Sequence, residues 1–121
     1  MRNLSRVTFW AAATFALVMA VVPQPPQLPG NPSDKIQHMV AFAVLAGLGS
    51  AAFPPPRMLG LLVGLSGFGA LIELFQAIPS LHRDSDPLDW AADTAAAAAV
   101  ILVVMSCRKR CLIRRDEPRR S

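Results

Sequence analysis

Pairs of polar and ionisable residues at helical spacing are the feature of this sequence that could support chemistry. The members of each pair are three or four residues apart, which places both side chains on one face of a helix. A carboxylate close to an imidazole is the minimum for general acid–base catalysis, and the same groups can hold a polar ligand. The pairs are Asp34 and His38, Glu73 and Gln76, and Asp89 and Asp93.

Two kinds of site are consistent with these pairs. If the protein is a catalyst, we expect the reacting groups among His38, Glu73 and Asp93, with Glu73 acting as a base. If the protein binds a ligand, a larger set of polar residues would form the pocket. That set is Asp34, Lys35, His38, Glu73, Gln76, Arg83, Asp89 and Asp93.

A metal-dependent version of the catalytic site would use His38 and Glu73 together with Asp89 or Asp93 as ligands. The sequence contains no short-spaced metal motif, and its two cysteines lack other soft ligands nearby. We therefore expect neither a metal ion nor another cofactor.

Four long apolar segments must position these residues. The 121-residue chain is 53% hydrophobic with mean hydropathy +0.40, and its few aromatic residues suit helices in lipid better than a soluble core. Prolines end the second and third segments because proline cannot continue a helix. The Ala-rich part of the fourth segment is expected to pack against the glycines of the third. We predict an all-α membrane protein, a compact bundle of four transmembrane helices at residues 7–22, 34–53, 58–78 and 87–107.

The segments divide the chain into four regions, with room for one domain at most. Residues 1–22 form an N-terminal anchor span that also resembles a cleavable signal peptide, and residues 23–33 form a proline-rich outer loop. Residues 34–107 form a three-span core, and residues 108–121 form a basic cytoplasmic tail.

The positions of Lys and Arg predict the orientation of the spans. Ten of the twelve lie on the side that contains both chain ends and the turn at residues 54–57, and only Lys35 and Arg83 lie on the other side. Cytoplasmic segments carry an excess of Lys and Arg, so we expect both termini in the cytoplasm. The net charge of +4 therefore indicates anionic lipid, and not nucleic acid, as the partner.

The polar pairs converge at the outer ends of the predicted helices. At 1.5 Å per residue, His38, Glu73 and Asp93 each lie about 6–8 Å inside the end of their helix. Three ionisable groups at one depth predict a shared polar pocket that opens to the outside. The alternative is that these groups hydrogen-bond one another and only join the helices. The loop carboxylates of Asp84 and Asp86 are expected to be solvated charges.

The same residues resemble the VanZ-like family over about residues 33–105. Phe42 stands where the family often has Tyr, and Asp93 stands where Asn is frequent, which adds a negative charge to the pocket. Three stretches carry the resemblance: Asp34-Lys35-Ile36-Gln37-His38, similar to the family's Asp-Lys-x-x-His; Glu73-Leu74-Phe75-Gln76, similar to its Glu-x-x-Gln; and Arg83 with Asp89-Trp90-Ala91-Ala92-Asp93-Thr94, similar to its Arg…Asp-x-x-x-Asn/Asp-Thr segment.

The resemblance implies a small multi-span protein of the bacterial envelope, located in the cytoplasmic (inner) membrane. The family's named member is associated with lowered susceptibility to the glycopeptide teicoplanin. The family name supplies no biochemical activity, so the resemblance by itself does not choose between binding and catalysis.

Three functions are consistent with the sequence. The first is a binding or accessory module of the envelope, in which Lys35 and Arg83 engage the phosphate or carboxylate of a lipid-linked head group. The second is a membrane-embedded hydrolase or transferase that uses the His–carboxylate site. The third is a purely structural subunit, which could form homo-oligomers through Gly60 and Gly64 because small residues let helices approach closely. We expect the first, in contact with membrane lipids.

Overall fold

The computed structural model describes residues 2–21, 34–81 and 86–117, with the side chains of residues 34, 35 and 81 excepted. These residues are almost entirely helical, and no strand occurs among them. The prediction of an all-α fold is therefore confirmed. The helices are α1 (Arg2–Val21), α2 (Asp34–Ala52), α3 (Met58–Gln76) and α4 (Pro87–Asp116), with single 3₁₀ turns at Pro55–Arg57 and Pro79–Leu81.

Prolines and caps set the ends of the helices. Pro54 adopts an extended conformation two residues after the end of α2, and the Arg57 amide donates to the Pro54 carbonyl to close the turn into α3. At the start of α4, the Asp86 side chain accepts a hydrogen bond of 3.0 Å from the Leu88 amide, and Pro87 occupies the first helical position. This is a favourable N-terminus because the carboxylate satisfies a free amide and complements the helix dipole.

The helices run up and down, so each end of the bundle collects side chains from all four. We call one end the acidic end: it contains the last turns of α1 and α3 and the first turns of α2 and α4. The other is the basic end, where α1 begins, α2 turns into α3 and α4 finishes. The core lies along α2, which packs against both α1 and α4, and it includes Phe42, Leu45, Ala46 and Ala97.

The packing between α3 and α4 differs from the expectation of an Ala face against a Gly face. A Cβ atom added to Gly60 or Gly64 would meet nothing within 4 Å, so these glycines do not receive another helix. The close approach occurs at Gly69 instead, where an added Cβ would lie 3.3 Å from the rings of Phe42 and Trp90. The rings of Phe42 and Trp90, and not the alanines of α4, therefore occupy the space that a side chain at Gly69 would need.

Three of the four helices are long and apolar enough to cross a membrane: α1, the segment Pro55–Gln76 and α4. The apolar part of α2, Ile36–Ala52, is shorter. The prediction of four spans is thus supported by length and composition for three of them, and for α2 the comparison covers only Ile36–Ala52, since the side chains of residues 34 and 35 are not described. Large apolar side chains are exposed on every helix, for example Leu4, Val44, Leu59 and Leu102, and such faces suit lipid better than water.

Helix α4 is longer than the predicted fourth span. It continues past Cys107 to Asp116, which gives 30 residues and a length of about 45 Å. Arg, Lys and Leu in the extra turns are good helix formers, and basic side chains near a helix C-terminus interact favourably with its dipole. Much of the predicted basic tail is therefore a continuation of the helix.

Candidate functional site

Three side chains from three helices meet at the acidic end. His38 lies in the second turn of α2, Glu73 in the last turn of α3 and Asp89 in the first turn of α4. One ligand atom from each lies within 4.8 Å of the other two. The helical spacing and depth predicted this convergence for His38 and Glu73, and the structure confirms that they lie together.

Asp93 adjoins this trio through His38. Its Oδ2 lies 4.0 Å from His38 Nδ1, and the two side chains are 3% and 14% exposed. This distance is too long for a hydrogen bond, and the contact is an ion pair only when the histidine is protonated. His38 Nδ1 is buried and has no hydrogen-bond partner among the residues that the structure describes.

Glu73 joins the end of α3 to the start of α4. Its Oε2 accepts a hydrogen bond of 3.0 Å from the backbone amide of Asp86, and the residue is only 9% exposed. A carboxylate beside a helix N-terminus interacts favourably with the helix dipole. Asp86 was expected to be a solvated loop charge, but its side chain caps α4. Its role in the structure is therefore to start the helix that carries Asp89.

Gln76 has a different partner from Glu73, although the two were predicted to act on one face. Its Nε2 donates a 3.1 Å hydrogen bond to the carbonyl of Ala20, in the last turn of α1. Carbonyls in the last turn of a helix lack partners within that helix. The buried Gln76 amide therefore ties α1 to α3, and its nitrogen is not directed to the trio.

Aromatic side chains pack next to the trio, on the side toward the middle of the bundle. Phe42, one turn further along α2 than His38, is 2% exposed and lies beside Phe68, with ring centroids 5.9 Å apart. Trp90 donates from Nε1 to the carbonyl of Ser66 at 2.9 Å, and the hydroxyl of Thr94 donates to Ser66 Oγ at 3.2 Å. These bonds hold α4 against α3 just below Asp89.

The sequence interpretation missed Ser66. The available signal was its position seven residues before Glu73, which is two helical turns and therefore nearly the same face. A small hydroxyl in an otherwise apolar helix is a weak signal, because such side chains can bond to their own backbone.

Three other predicted site residues cannot be assigned contacts. Asp34 and Lys35 lie in the first turn of α2, at the acidic end, but only their backbone is described. Arg83 lies outside the described residues, as do His82 and Asp84. The pocket roles of Asp34, Lys35 and Arg83 stay predictions from the sequence.

At the basic end, two arginines contact a backbone or an aromatic group of α2 or the residue that follows it. Arg108 donates from its guanidinium to the carbonyl of Ser50 in the last turn of α2, and the guanidinium carbon of Arg6 lies 5.9 Å from the centroid of Phe53. An apolar cavity of about 500 Å³ opens nearby between α1 and α3, and its lining includes Trp10 and Arg57.

The fold and the trio define the protein as an all-helical bundle with a His–carboxylate cluster at one end and three helices able to cross a membrane. The chain matches no family model, no curated protein and no solved structure. The cluster offers an imidazole and carboxylates within a few ångströms of one another, which can exchange protons, bind a polar group or coordinate a cation.

Proposed function

We propose that the chain is an integral membrane protein of the bacterial envelope whose pocket at the acidic end binds the polar head group of an envelope lipid. The observation that carries the proposal is the meeting of His38, Glu73 and Asp89 within 4.8 Å, each from a different helix. Ionisable side chains in membrane-spanning helices are costly, and they usually mark a ligand or ion site. The resemblance to the VanZ-like family supports the assignment to the bacterial inner membrane.

In this proposal the acidic end faces the outside of the cell and both termini are cytoplasmic. The excess of Lys and Arg at the opposite end supports this orientation. Cys107 and Cys111 are exposed on the last turns of α4 and report the topology directly. A membrane-impermeant thiol reagent should label them only after the cells are permeabilised. Labelling of intact cells would reverse the orientation and place the pocket in the cytoplasm.

The ligand class follows from the polar groups at the pocket and from its place at a helix end. A head group can enter sideways from the outer leaflet while its acyl or prenyl chain remains in lipid. Lys35 and Arg83 are the basic residues that the sequence assigns to this end, and a guanidinium matches the geometry of a phosphate. We therefore favour a lipid-linked phosphate as the ligand.

The proposal is tested with the purified full chain in nanodiscs of phosphatidylcholine. The probe is a polyprenyl phosphate added at increasing fractions, with binding measured by native mass spectrometry. The Arg83→Ala variant should bind the probe at least about tenfold more weakly, which corresponds to about 1.4 kcal/mol, a modest value for a charged hydrogen bond. Arg57→Ala removes the same charge at the basic end and serves as the matched control.

The outcomes separate a specific pocket from general attraction to charge. An equal loss in both variants would mean that the probe responds only to net charge, and unchanged binding in Arg83→Ala would contradict the proposal. Phosphatidylglycerol at the same mole fraction provides a second comparison, because it carries a similar charge on a different head group.

The trio also favours a second function, a membrane-embedded hydrolase. A histidine with carboxylates can activate water for attack on a phosphate ester. A polyprenyl diphosphate in the same nanodiscs would then release inorganic phosphate, and Glu73→Gln would abolish the release. Binding without phosphate release supports the binding module, and release that depends on Glu73 would replace it with the hydrolase.

Self-association is the remaining part of the proposal. The backbone at Gly60 and Gly64 is open, with nothing within 4 Å of an added Cβ. Small residues four apart on a membrane helix permit close helix–helix packing, which supports contact with a second copy. An effect on teicoplanin susceptibility is supported by the family resemblance alone.

A further inference from the structure

We infer that His38, Glu73 and Asp89 form a binding site for one divalent transition-metal cation, for which Zn²⁺ is the best match. The inference adds a ligand to the pocket of the proposed function, and it rests on that proposal because the same pocket is used. The main evidence is that three ligand atoms, one from each of three helices, lie within 4.8 Å of one another.

The donor types select the class of metal. An imidazole nitrogen suits Zn²⁺, Cu²⁺, Fe²⁺ or Ni²⁺, whereas Ca²⁺ and Mg²⁺ prefer sites built only of oxygen. Carboxylate oxygens are ordinary zinc ligands, and one His with two carboxylates makes a three-ligand set. Zinc is redox-inert and adapts readily to the geometry of its ligands, so we choose it over copper and iron for this site.

The distances require only small side-chain movements. Tetrahedral bonds of about 2.1 Å put ligand atoms about 3.4 Å apart. Contraction from the observed 4.8 Å limit needs shifts of less than about 1 Å per side chain, which is within reach of small rotations about the side-chain bonds. The helices themselves can stay in place, because the trio is already held by the Glu73–Asp86 hydrogen bond and by the Trp90–Ser66 bond below it.

Burial and charge also favour a cation. Glu73 is 9% exposed, and its carboxylate lies near that of the half-buried Asp89. Two negative charges at such a separation repel each other, and the repulsion is stronger where one of them is buried. A divalent cation between them would convert the repulsion into attraction.

Asp93 fits as a positioning residue for the site. It is not part of the trio, but its Oδ2 faces His38 Nδ1 at 4.0 Å, and its side chain is only 3% exposed. Histidines that bind metals commonly direct one ring nitrogen to the metal and the other to a carboxylate, which sets the ring orientation and increases ligand strength. We assign Asp93 this orienting role, with His38 binding the metal through Nε2.

A metal held by three protein ligands keeps a position for another oxygen ligand. The phosphate of a lipid head group is a suitable ligand for that position. The cation would therefore supply positive charge inside an acidic pocket, and this explains how carboxylates could take part in binding an anionic head group.

The test uses the full chain in detergent after removal of metals with a chelator. Cys107 and Cys111 are exposed and one helical turn apart, so both are replaced by Ser to prevent zinc binding at the basic end. Zn²⁺ is titrated by calorimetry, and Co²⁺ is added separately to record the absorption bands that report nitrogen and oxygen coordination. We expect one ion per chain.

The variants discriminate between the trio and its surroundings. Asp89→Asn and Glu73→Gln should each weaken Zn²⁺ binding by about 100-fold or more, and Asp93→Asn by about 10–100-fold, the range for residues that orient metal ligands. The control is Asp86→Asn, which removes a carboxylate from the same end while Asn still caps α4. Its affinity for Zn²⁺ should equal that of the parent protein. Circular dichroism confirms that each variant is folded.

Two results would overturn the inference: a parent protein that binds no Zn²⁺ saturably, or an Asp89→Asn variant that binds as tightly as its parent. Asp89 is only half-buried, so this variant is the one least prone to misfold. Binding of the polyprenyl phosphate that is unchanged by chelator would instead contradict the link between the cation and the head group, while leaving the proposed function intact. Zinc binding without polyprenyl phosphate binding would support the metal site and contradict the proposed function.

Discussion

The acidic and basic ends of this bundle both contain buried polar groups, but they use them differently. At the basic end Arg6, Ser50 and Arg108 each contact a backbone carbonyl or an aromatic ring close by. At the acidic end, side chains of the metal-binding type approach one another from three helices. The comparison separates polar groups that stabilise helix ends from polar groups that could act on a ligand.

The basic end illustrates the stabilising use. The guanidinium of Arg108 reaches a carbonyl in the last turn of α2, where carbonyls lack helical partners. The buried hydroxyl of Ser50 donates to the carbonyl of Ala46 at 2.7 Å within the same helix. The cavity of about 500 Å³ at this end is lined mainly by apolar side chains, which offer few groups for chemistry.

The acidic end contains both uses side by side. Gln76 stabilises the end of α1, and Asp86 stabilises the start of α4, much as Arg108 does at the other end. His38, Glu73 and Asp89 differ because they meet one another. A polar side chain at a helix end is therefore weak evidence for a site by itself, and convergence from separate helices is the stronger evidence.

The largest effect on stability in this comparison is expected at the basic end. Arg108→Gln removes the guanidinium that bonds to Ser50, and the shorter amide cannot reach that carbonyl. A hydrogen bond to a charged group contributes about 1.5–3 kcal/mol, and partial exposure favours the lower part of this range. Unfolding in detergent can be followed by the fluorescence of Trp10 and Trp90.

The matched control for this variant is Arg110→Gln, which removes an exposed guanidinium from the same helix. It should leave the unfolding transition within about 0.5 kcal/mol of the wild type, as is usual for surface substitutions. Equal destabilisation by both variants would mean that total charge, and not the bond to α2, stabilises this end.

The sequence predicted the convergence at the acidic end because helical geometry is regular. Counting residues from the predicted helix ends placed His38 and Asp93 at one depth, and in the structure they are 4.0 Å apart. This worked because prolines and polar residues mark the helix ends clearly. The same reasoning placed the end of the last helix at Cys107, since it took the end of the apolar stretch as the end of the helix.

The individual partners could not be predicted from the sequence. Residues three apart share a helix face, yet Glu73 bonds to the start of α4 and Gln76 to the end of α1. The rotation of α3 relative to its neighbours decides which helix each side chain meets, and packing at Gly69 and Phe42 influences that rotation. Spacing along one helix contains no information about these contacts.

A smaller effect on stability is expected for Glu73→Gln than for Arg108→Gln, although Glu73 is a buried carboxylate. The amide oxygen can still accept the hydrogen bond from the Asp86 backbone, and loss of the charge removes repulsion with Asp89. Neutral hydrogen bonds contribute about 0.5–1.5 kcal/mol, so exchanging one acceptor for another should change the free energy of unfolding by less than about 1 kcal/mol. Glu117→Gln, at an exposed position of the basic end, controls for the change in charge.

Stability maintained in Glu73→Gln would mean that the carboxylate is not needed to hold the helices together. A buried charge that contributes little to stability is expected at a site shaped by function, where activity is retained at a cost in stability. A variant that unfolds, while Glu117→Gln remains stable, would instead mean that the ionised Glu73 is bonded into the bundle. The acidic end would then use its charges as the basic end does, and the difference between the two ends would be one of sign alone.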